Sequence, residues 1–232
     1  SYARDARDTG LPVIRPLPLM YQDDPEAHVQ RYQYLFGDYI LAAPVVEKGA
    51  RTREVYFPRG AKWYEFWGDA SYPGGTLDTV LAPLEELPFF IREGAIIPML
   101  PDDIDTLVDA ELVKQPGVKA RDDRLIIRAW PSASRSRMRL VDGTVIVTEP
   151  EEEGTFSVEV FTQARRLWIN VSDFRADSVT IDEKLLEKLP LKKVMNGATG
   201  WAYNVMFRDT WIFLNIAEQK LFELKLSPPA PC

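Results

Sequence analysis

The sequence predicts a mostly β chain: a short α/β segment over residues 1–46, then two β-sandwich-like units over residues 47–232. Short apolar runs with many β-branched and aromatic residues recur from residue 51 onward, as strands require. Gly/Pro turns separate them, at Arg59-Gly60, Pro73-Gly74-Gly75 and Glu93-Gly94. Before residue 47 the pattern instead alternates between helical and extended spacing.

The elements follow in order. In "SYARDARDTG", Tyr2 and Ala6 share a helical face, Gly10 stops the turn and Pro12 follows, so residues 1–10 read as a helix end. Residues 11–21, "LPVIRPLPLMY", read as extended, although Pro16 and Pro18 would demote a strand to an edge. Asp24 is a good N-cap and Pro25 suits the first helical position. Val29, Tyr32 and Phe36 recur at helical spacing and Gly37 is a natural stop, so a helix is expected up to Gly37. An extended run, "DYILAAPVV", comes next. One strand and one helix cannot close a core alone, so residues 1–46 read as the last part of something larger.

From 51 to 100 the strands are "EVYFP", "KWYEFW", "TLDTVLA", "PFFIRE" and "AIIPM". Regular short strands with Gly/Pro turns predict an antiparallel sandwich. Residues 101–122 are polar and proline-bounded, a connection between β units. A second series runs from "RLIIRAW" to "LFELKL" and includes "RLWINV", "GWAYN" and "TWIFLNI". In "TFSVEV", Phe156, Val158 and Val160 share one face and Ser157 and Glu159 the other. The tail "SPPAPC" should fray.

Composition excludes some classes. The chain has 232 residues, 46% hydrophobic and 27% charged, with a formal charge of −7. A nucleic-acid binder normally carries a basic surplus, so no nucleic-acid partner is expected. No run reaches the roughly 18 apolar residues of a membrane span, so no membrane partner is expected either. The single cysteine, Cys232, cannot form an internal disulfide, which leaves the compartment open. Asn170-Val171-Ser172 is a glycosylation sequon, but it lies in a strand-like run and reads as a chance match.

Residues able to carry chemistry each have a structural reading. Asp102, Asp103, Asp105 and Asp109 could suggest calcium, but they lack the glycine and terminal glutamate of an EF-hand loop. They read as a solvated acidic linker. "EPEEEG", residues 149–154, reads as an exposed hairpin loop or as a guard against edge pairing. His28 is the only histidine, so zinc ligation by this chain alone is not expected. A Ser-His-Asp site has no G-x-S-x-G context. Trp63, Tyr64, Phe66 and Trp67 could stack on sugar rings, but their density reads as core, as do Trp201 and Tyr203. Gly74-Gly75 is a turn and not a phosphate cradle, and no cofactor motif is present.

Four blocks, "TGLPVIRPL", "YLFGDYILAAPVV", "YFPRGAKWYEFW" and "APLEELPFFIREGAIIPM", together resemble the C-terminal portion of glycoside hydrolase family 31, the α-glucosidase family. They cover roughly residues 8–100, and "VDGTVI" and "GWAYN" resemble its distal β-domain. The resemblance implies that residues 1–46 are the C-terminal end of a (β/α)8 catalytic barrel. It further implies a proximal β-sandwich at 47–115 and a distal one at 116–232. Arg7 stands where the family usually has a histidine, and Tyr21-Gln22-Asp23-Asp24 replaces its usual Phe-Pro-Asp. Both departures blur the substrate subgroup.

The resemblance implies a retaining α-glycosidase acting on oligo- or polysaccharides. Its two carboxylates, about 5–5.5 Å apart, would lie on earlier barrel strands, so no catalytic, substrate-binding or metal residue is assigned in this chain. Asp23-Asp24 would fall near the barrel's catalytic face, but helix capping is the better reading. The expected partner is the N-terminal catalytic barrel portion. A non-catalytic carbohydrate-binding sandwich is the competing class. On the barrel reading, Val13, Leu17, Leu19, Tyr32, Phe36 and Ile40 should be exposed in the chain alone.

Overall fold

The computed structural model describes residues 2–109, 120–121 and 123–230. Its contacts divide the chain into two units, Ser1–Ala95 and Ile96–Cys232. The expected boundary at 115/116 lies outside the described residues. Among the described residues no helix is long and apolar enough to cross a membrane.

The first unit opens with α1 (Tyr2–Thr9), β1 (Ile14–Pro16), α2 (Leu17–Met20), α3 (Pro25–Val29), β2 (Tyr34–Phe36) and β3 (Ile40–Ala42). It continues with β4 (Thr52–Phe57), β5 (Lys62–Glu65), β6 (Ser71–Pro73), β7 (Thr76–Leu81) and β8 (Phe89–Arg92). A six-stranded sheet runs in the order β1-β2-β3-β8-β5-β6, and β4 pairs with β7 in a separate ribbon. All of these pairings are antiparallel. Leu35 and Leu41 from the first half of the unit join Val55, Phe57, Trp63 and Phe90 in one core.

Two expectations for this unit are corrected. Residues 11–21 are not one extended run: the strand stops at Pro16, and Leu17–Met20 forms a helical turn. Pro16 sits at φ −65°, ψ 147° and ends the strand, and Pro18 falls in the first turn, where a missing N–H costs nothing. The helix from Pro25 stops at Val29, and Tyr34–Phe36 is a strand. A tertiary clasp overrides helical spacing here. The buried Gln33 amide donates to the Tyr56 carbonyl at 2.6 Å and accepts from the Tyr56 N–H at 3.1 Å. Gly37 has φ +65°, and a Cβ there would overlap the Tyr2 ring, so it holds a turn against α1 that no other residue fits. Arg15 is fully buried, donates to the Pro12 carbonyl at 2.7 Å and pairs with Asp38.

The second unit contains β9 (Ile96–Met99), β10 (Thr106–Asp109), β11 (Ala120–Arg121), β12 (Arg124–Ala129) and β13 (Ser136–Arg139). Then come β14 (Val145–Pro150), β15 (Phe156–Thr162), β16 (Arg165–Val171), β17 (Ser178–Ile181) and β18 (Lys184–Leu185). It ends with α4 (Leu191–Met195), β19 (Gly200–Asn204), β20 (Asp209–Ile216) and β21 (Lys220–Ser227). A five-stranded sheet, β19-β20-β16-β12-β9, and a six-stranded sheet, β13-β14-β15-β21-β17-β18, share one core. Ile127, Ile169 and Ile212 from the first sheet are buried with Val158, Val160 and Leu224 from the second. β9, read from the sequence as part of the first sandwich, pairs with β12 in this unit.

The antiparallel expectation fails at two ladders of this unit, the first being the parallel pairing of β10 with β11. β12 and β16 pair in parallel over their full lengths. Between them the chain forms β13, β14 and β15 of the other sheet and then returns, so both strands run the same way. In "EPEEEG", Glu149 and Pro150 end β14 and residues 151–154 belong to the loop to β15, with a 3-10 turn at Glu152–Gly154. It guards no edge, because β14 and β15 are both interior strands.

Candidate functional site

Alternation along β12 sends Leu125, Ile127 and Ala129 into the core, so Arg124, Ile126 and Arg128 stand on the outer face of the five-stranded sheet. Register then sets their neighbours. Ile126 lies between Met99 and Trp168, and Trp168 in turn faces Phe213. Arg128 lies opposite Asn170, and Asn170 opposite Trp211. The last turn of α4 closes one side. The Trp168 indole donates to the Val194 carbonyl at 3.2 Å, and its ring lies 4.6 Å from that of Phe213. Arg124, Ile126, Arg128, Trp168 and Trp211, with Met99, Pro101, Asp102 and Met195, line a cavity of about 420 Å³.

A buried polar network lies beside it. Arg128 Nε donates to Asn170 Oδ1 at 3.2 Å, and Ser172 Oγ donates to the same oxygen at 2.8 Å. Asn170 Nδ2 donates to Asp209 Oδ2 at 2.8 Å. The Arg128 guanidinium lies 4.9 Å from the Trp130 ring centre, a cation–π distance. Asp209 is 3% exposed, and its Oδ1 has no hydrogen-bond partner. Burial pushes the Asp209 carboxyl above the usual carboxylate range, while Asn170, Arg128 and the Trp211 indole pull it back. Burial also lowers the Arg128 guanidinium, with Asp209 opposing the shift. Asn170 is fully buried, so the sequon is closed to modification in the folded chain.

The residues singled out in the sequence fall elsewhere. Asp24 occupies the N-cap position of α3, as expected, but its side chain makes no cap hydrogen bond. It is buried, and it accepts from the Tyr56 hydroxyl at 2.6 Å and the Arg59 N–H at 3.3 Å. Asp23 is exposed, so the two carboxylates do not form a facing pair. Asp103 is held by both Nη atoms of Arg124 at 2.8 and 2.9 Å, so it is not a freely solvated linker residue. Asp102 lines the cavity, Asp105 is exposed, and the Asp109 side chain lies outside the described set. His28 Nε2 is 2.9 Å from the Gln22 carbonyl oxygen. Among the described residues no group of three or more His, Cys, Asp or Glu is placed to hold a metal.

Trp63 and Trp201 are core, as expected, and Tyr203 packs against the core around Trp201. Trp67 is half-exposed and pinned by its indole to the Leu87 carbonyl at 2.9 Å. Gly74 belongs to a tight turn: a Cβ would meet the carbonyls of Pro58 and Ala61. Sequence reasoning missed Trp168, Trp211 and Arg128. The available signal was that Trp168 and Trp211 occupy the outward phase of "RLWINV" and "TWIFLNI".

The Tyr56–Asp24 contact yields a pH prediction. Burial, then the Asp24 hydrogen bond and charge, push the Tyr56 phenol up to about 12. Its contribution to stability is therefore complete below the unfolded value near 10 and is lost as pH rises through about 12. Burial raises the Asp24 carboxyl, but Tyr56 and Arg59 outweigh it and the net shift is downward. That contribution is present above the unfolded value of about 3.9 and disappears as pH falls through the folded one. Tyr56→Phe should cost about 1.5–3 kcal/mol at pH 7. It should also remove a late phenol step, near pH 12, in ultraviolet absorbance; an unchanged titration curve would contradict the assignment.

Comparison with known proteins places this architecture. Residues 10–97 match the glycosyl hydrolase family 31 C-terminal domain. An isomaltosyltransferase of Sporosarcina globispora is 27% identical over 227 residues, covering 92% of this chain but 20% of its own length. An α-glucosidase of Saccharolobus solfataricus is 40% identical over 104 residues, 45% of this chain and 14% of the relative. The solved structure of a cycloalternan-forming enzyme from Listeria monocytogenes superposes with a TM-score of 0.84 at 28% identity, over 97% of this chain and 21% of that one. The chain thus spans about a fifth or less of the length of these relatives. Residues 10–97 thus match a glycosyl hydrolase family 31 C-terminal domain, and the likeness to these relatives runs through both units, as in a C-terminal portion of a family 31 protein.

Proposed function

We propose that the chain is the C-terminal segment of a retaining α-glycosidase that acts on α-linked oligo- or polysaccharides, with both catalytic aspartates on the N-terminal barrel portion. Supporting this is a set of apolar side chains within the first 46 residues that the unit's own core does not cover. Ile14, Val29 and Tyr32 are each more than half exposed, and Phe36 and Leu19 are also exposed. Leu17, expected among them, is fully buried, and Val13 and Ile40 are half-buried. β1 is also an edge strand, with one side open to further pairing. Each such side chain gains about 1.5–3 kcal/mol on full burial, so the surface favours a covering partner, and the barrel portion is the proposed one. In this reading residues 1–46 complete that barrel and the two β units buttress it.

The test uses the protein isolated natively from its source. Native mass spectrometry should find this chain in a species with a larger polypeptide, or as part of one. That species should turn over aryl α-glycosides. A mechanism-based α-glycosyl fluoride should label a carboxylate outside these 232 residues. A label on any carboxylate within them, or turnover by the isolated chain, would overturn the proposal.

A further inference from the structure

We propose that the cavity on the outer face of the five-stranded sheet is a binding site for a neutral pyranose. Its volume of about 420 Å³ falls within the roughly 300–1,000 Å³ of small-ligand sites. Two kinds of wall meet there. Trp168, Trp211 and Ile126 provide flat and apolar surface, suited to the C–H face of a sugar ring. Arg124, Arg128 and Asp102 provide donors and acceptors together, suited to hydroxyls that do both.

Charge selects among ligands. The cations Arg124 and Arg128 are matched by Asp102 at the cavity and by Asp103, which chelates Arg124. An anionic ligand would meet two carboxylates and a cationic one two guanidiniums, so an uncharged polar molecule suffers least. The site is also preorganised. Arg128 is already oriented by Asn170 and Ser172, and Trp168 by the Val194 carbonyl, so little side-chain freedom remains to be lost on binding.

The pyranose class follows from this lining alone, while the choice of an α-glucan as probe rests on the glycosidase reading. The experiment titrates maltotetraose and isomaltotriose into the full chain with indole-¹⁵N tryptophan. The six indole N–H signals would be assigned from single Trp→Phe variants. Saturable shifts confined to Trp168 and Trp211 are the expected result. Trp211→Ala and Arg128→Gln should each weaken binding at least tenfold, and Trp67→Ala should leave it unchanged. The wild-type shift map keeps the test decisive if a variant misfolds. No saturable shift at Trp168 or Trp211 with any neutral α-, β-gluco- or galacto-oligosaccharide would overturn the proposal. So would tighter binding of inorganic phosphate or of an apolar peptide at these two indoles. The readout is binding, so failure of the catalytic proposal would show in the labelling experiment and not here. A response to β-linked sugars alone would keep the site and count against the α-glycosidase reading.

Discussion

Trp63→Ala is expected to remove about 3–5 kcal/mol from the stability of the first unit, a large share of what a domain of ordinary stability has. Trp63 is fully buried among Val55, Phe57 and Phe90. Around it the aromatic packing is specific: Phe57 stacks on Tyr72 at 4.3 Å and meets Phe90 edge-on at 4.8 Å. Truncation would open a cavity that these fixed rings cannot collapse to fill. It would also remove the indole N–H that donates to the Pro58 carbonyl at 3.0 Å. Trp63→Phe retains most of the volume and loses that bond, so about 1–3 kcal/mol is expected. Urea unfolding followed by near-ultraviolet circular dichroism would measure both. A loss below about 1 kcal/mol for the alanine variant would show that this packing does not sustain the unit.

Asn170→Leu should have a comparable effect on the second unit for an electrostatic reason. The side chains are similar in volume, so packing changes little. What is lost is the donor to Asp209, leaving a buried carboxylate whose other oxygen already lacks a partner, and the acceptor shared by Arg128 and Ser172. Removing one member of a buried charged network costs about 3 kcal/mol or more. The cost should depend on pH. A carboxyl raised in the folded state binds protons more tightly there, so stability declines as pH climbs from the unfolded value of about 3.9 through the folded one. Below that window the Asp209 share of the penalty should vanish, and adding Asp209→Asn should restore that share at pH 7. A pH-independent loss, or no rescue, would place the defect in packing instead.

How much of this was legible in the sequence depends on the range of the forces involved. Phe156, Val158 and Val160 were read as sharing one face from alternation alone, and all three are buried, because burial on one face of a strand leaves a local period. The helix from Asp24 was misread because its competitor was remote. Asp24 is committed to Tyr56, 32 positions away, and Gln33 to the Tyr56 backbone 23 positions away. Neither contact leaves a mark near residue 24. The cavity was missed for a related reason: Arg128, Trp168 and Trp211 sit in three different strands, and only register brings them together. Sequence showed three good strands but not which outward positions would share a row.

The parallel pairing of β12 with β16 also constrains the order of assembly. It joins residues 42 positions apart, such as Arg128 and Asn170, and no hairpin can deliver it. The intervening chain must first leave, form β13–β15 and come back. Closing such a loop is an entropic toll collected before any ladder bond repays it. The β16 ladder with β20 is no more local, joining Val171 to Thr210 as its nearest pair, so both sides of β16 wait on distant chain. Until those ladders close, the half-made unit would display Trp168 and Trp211 beside open strand edges.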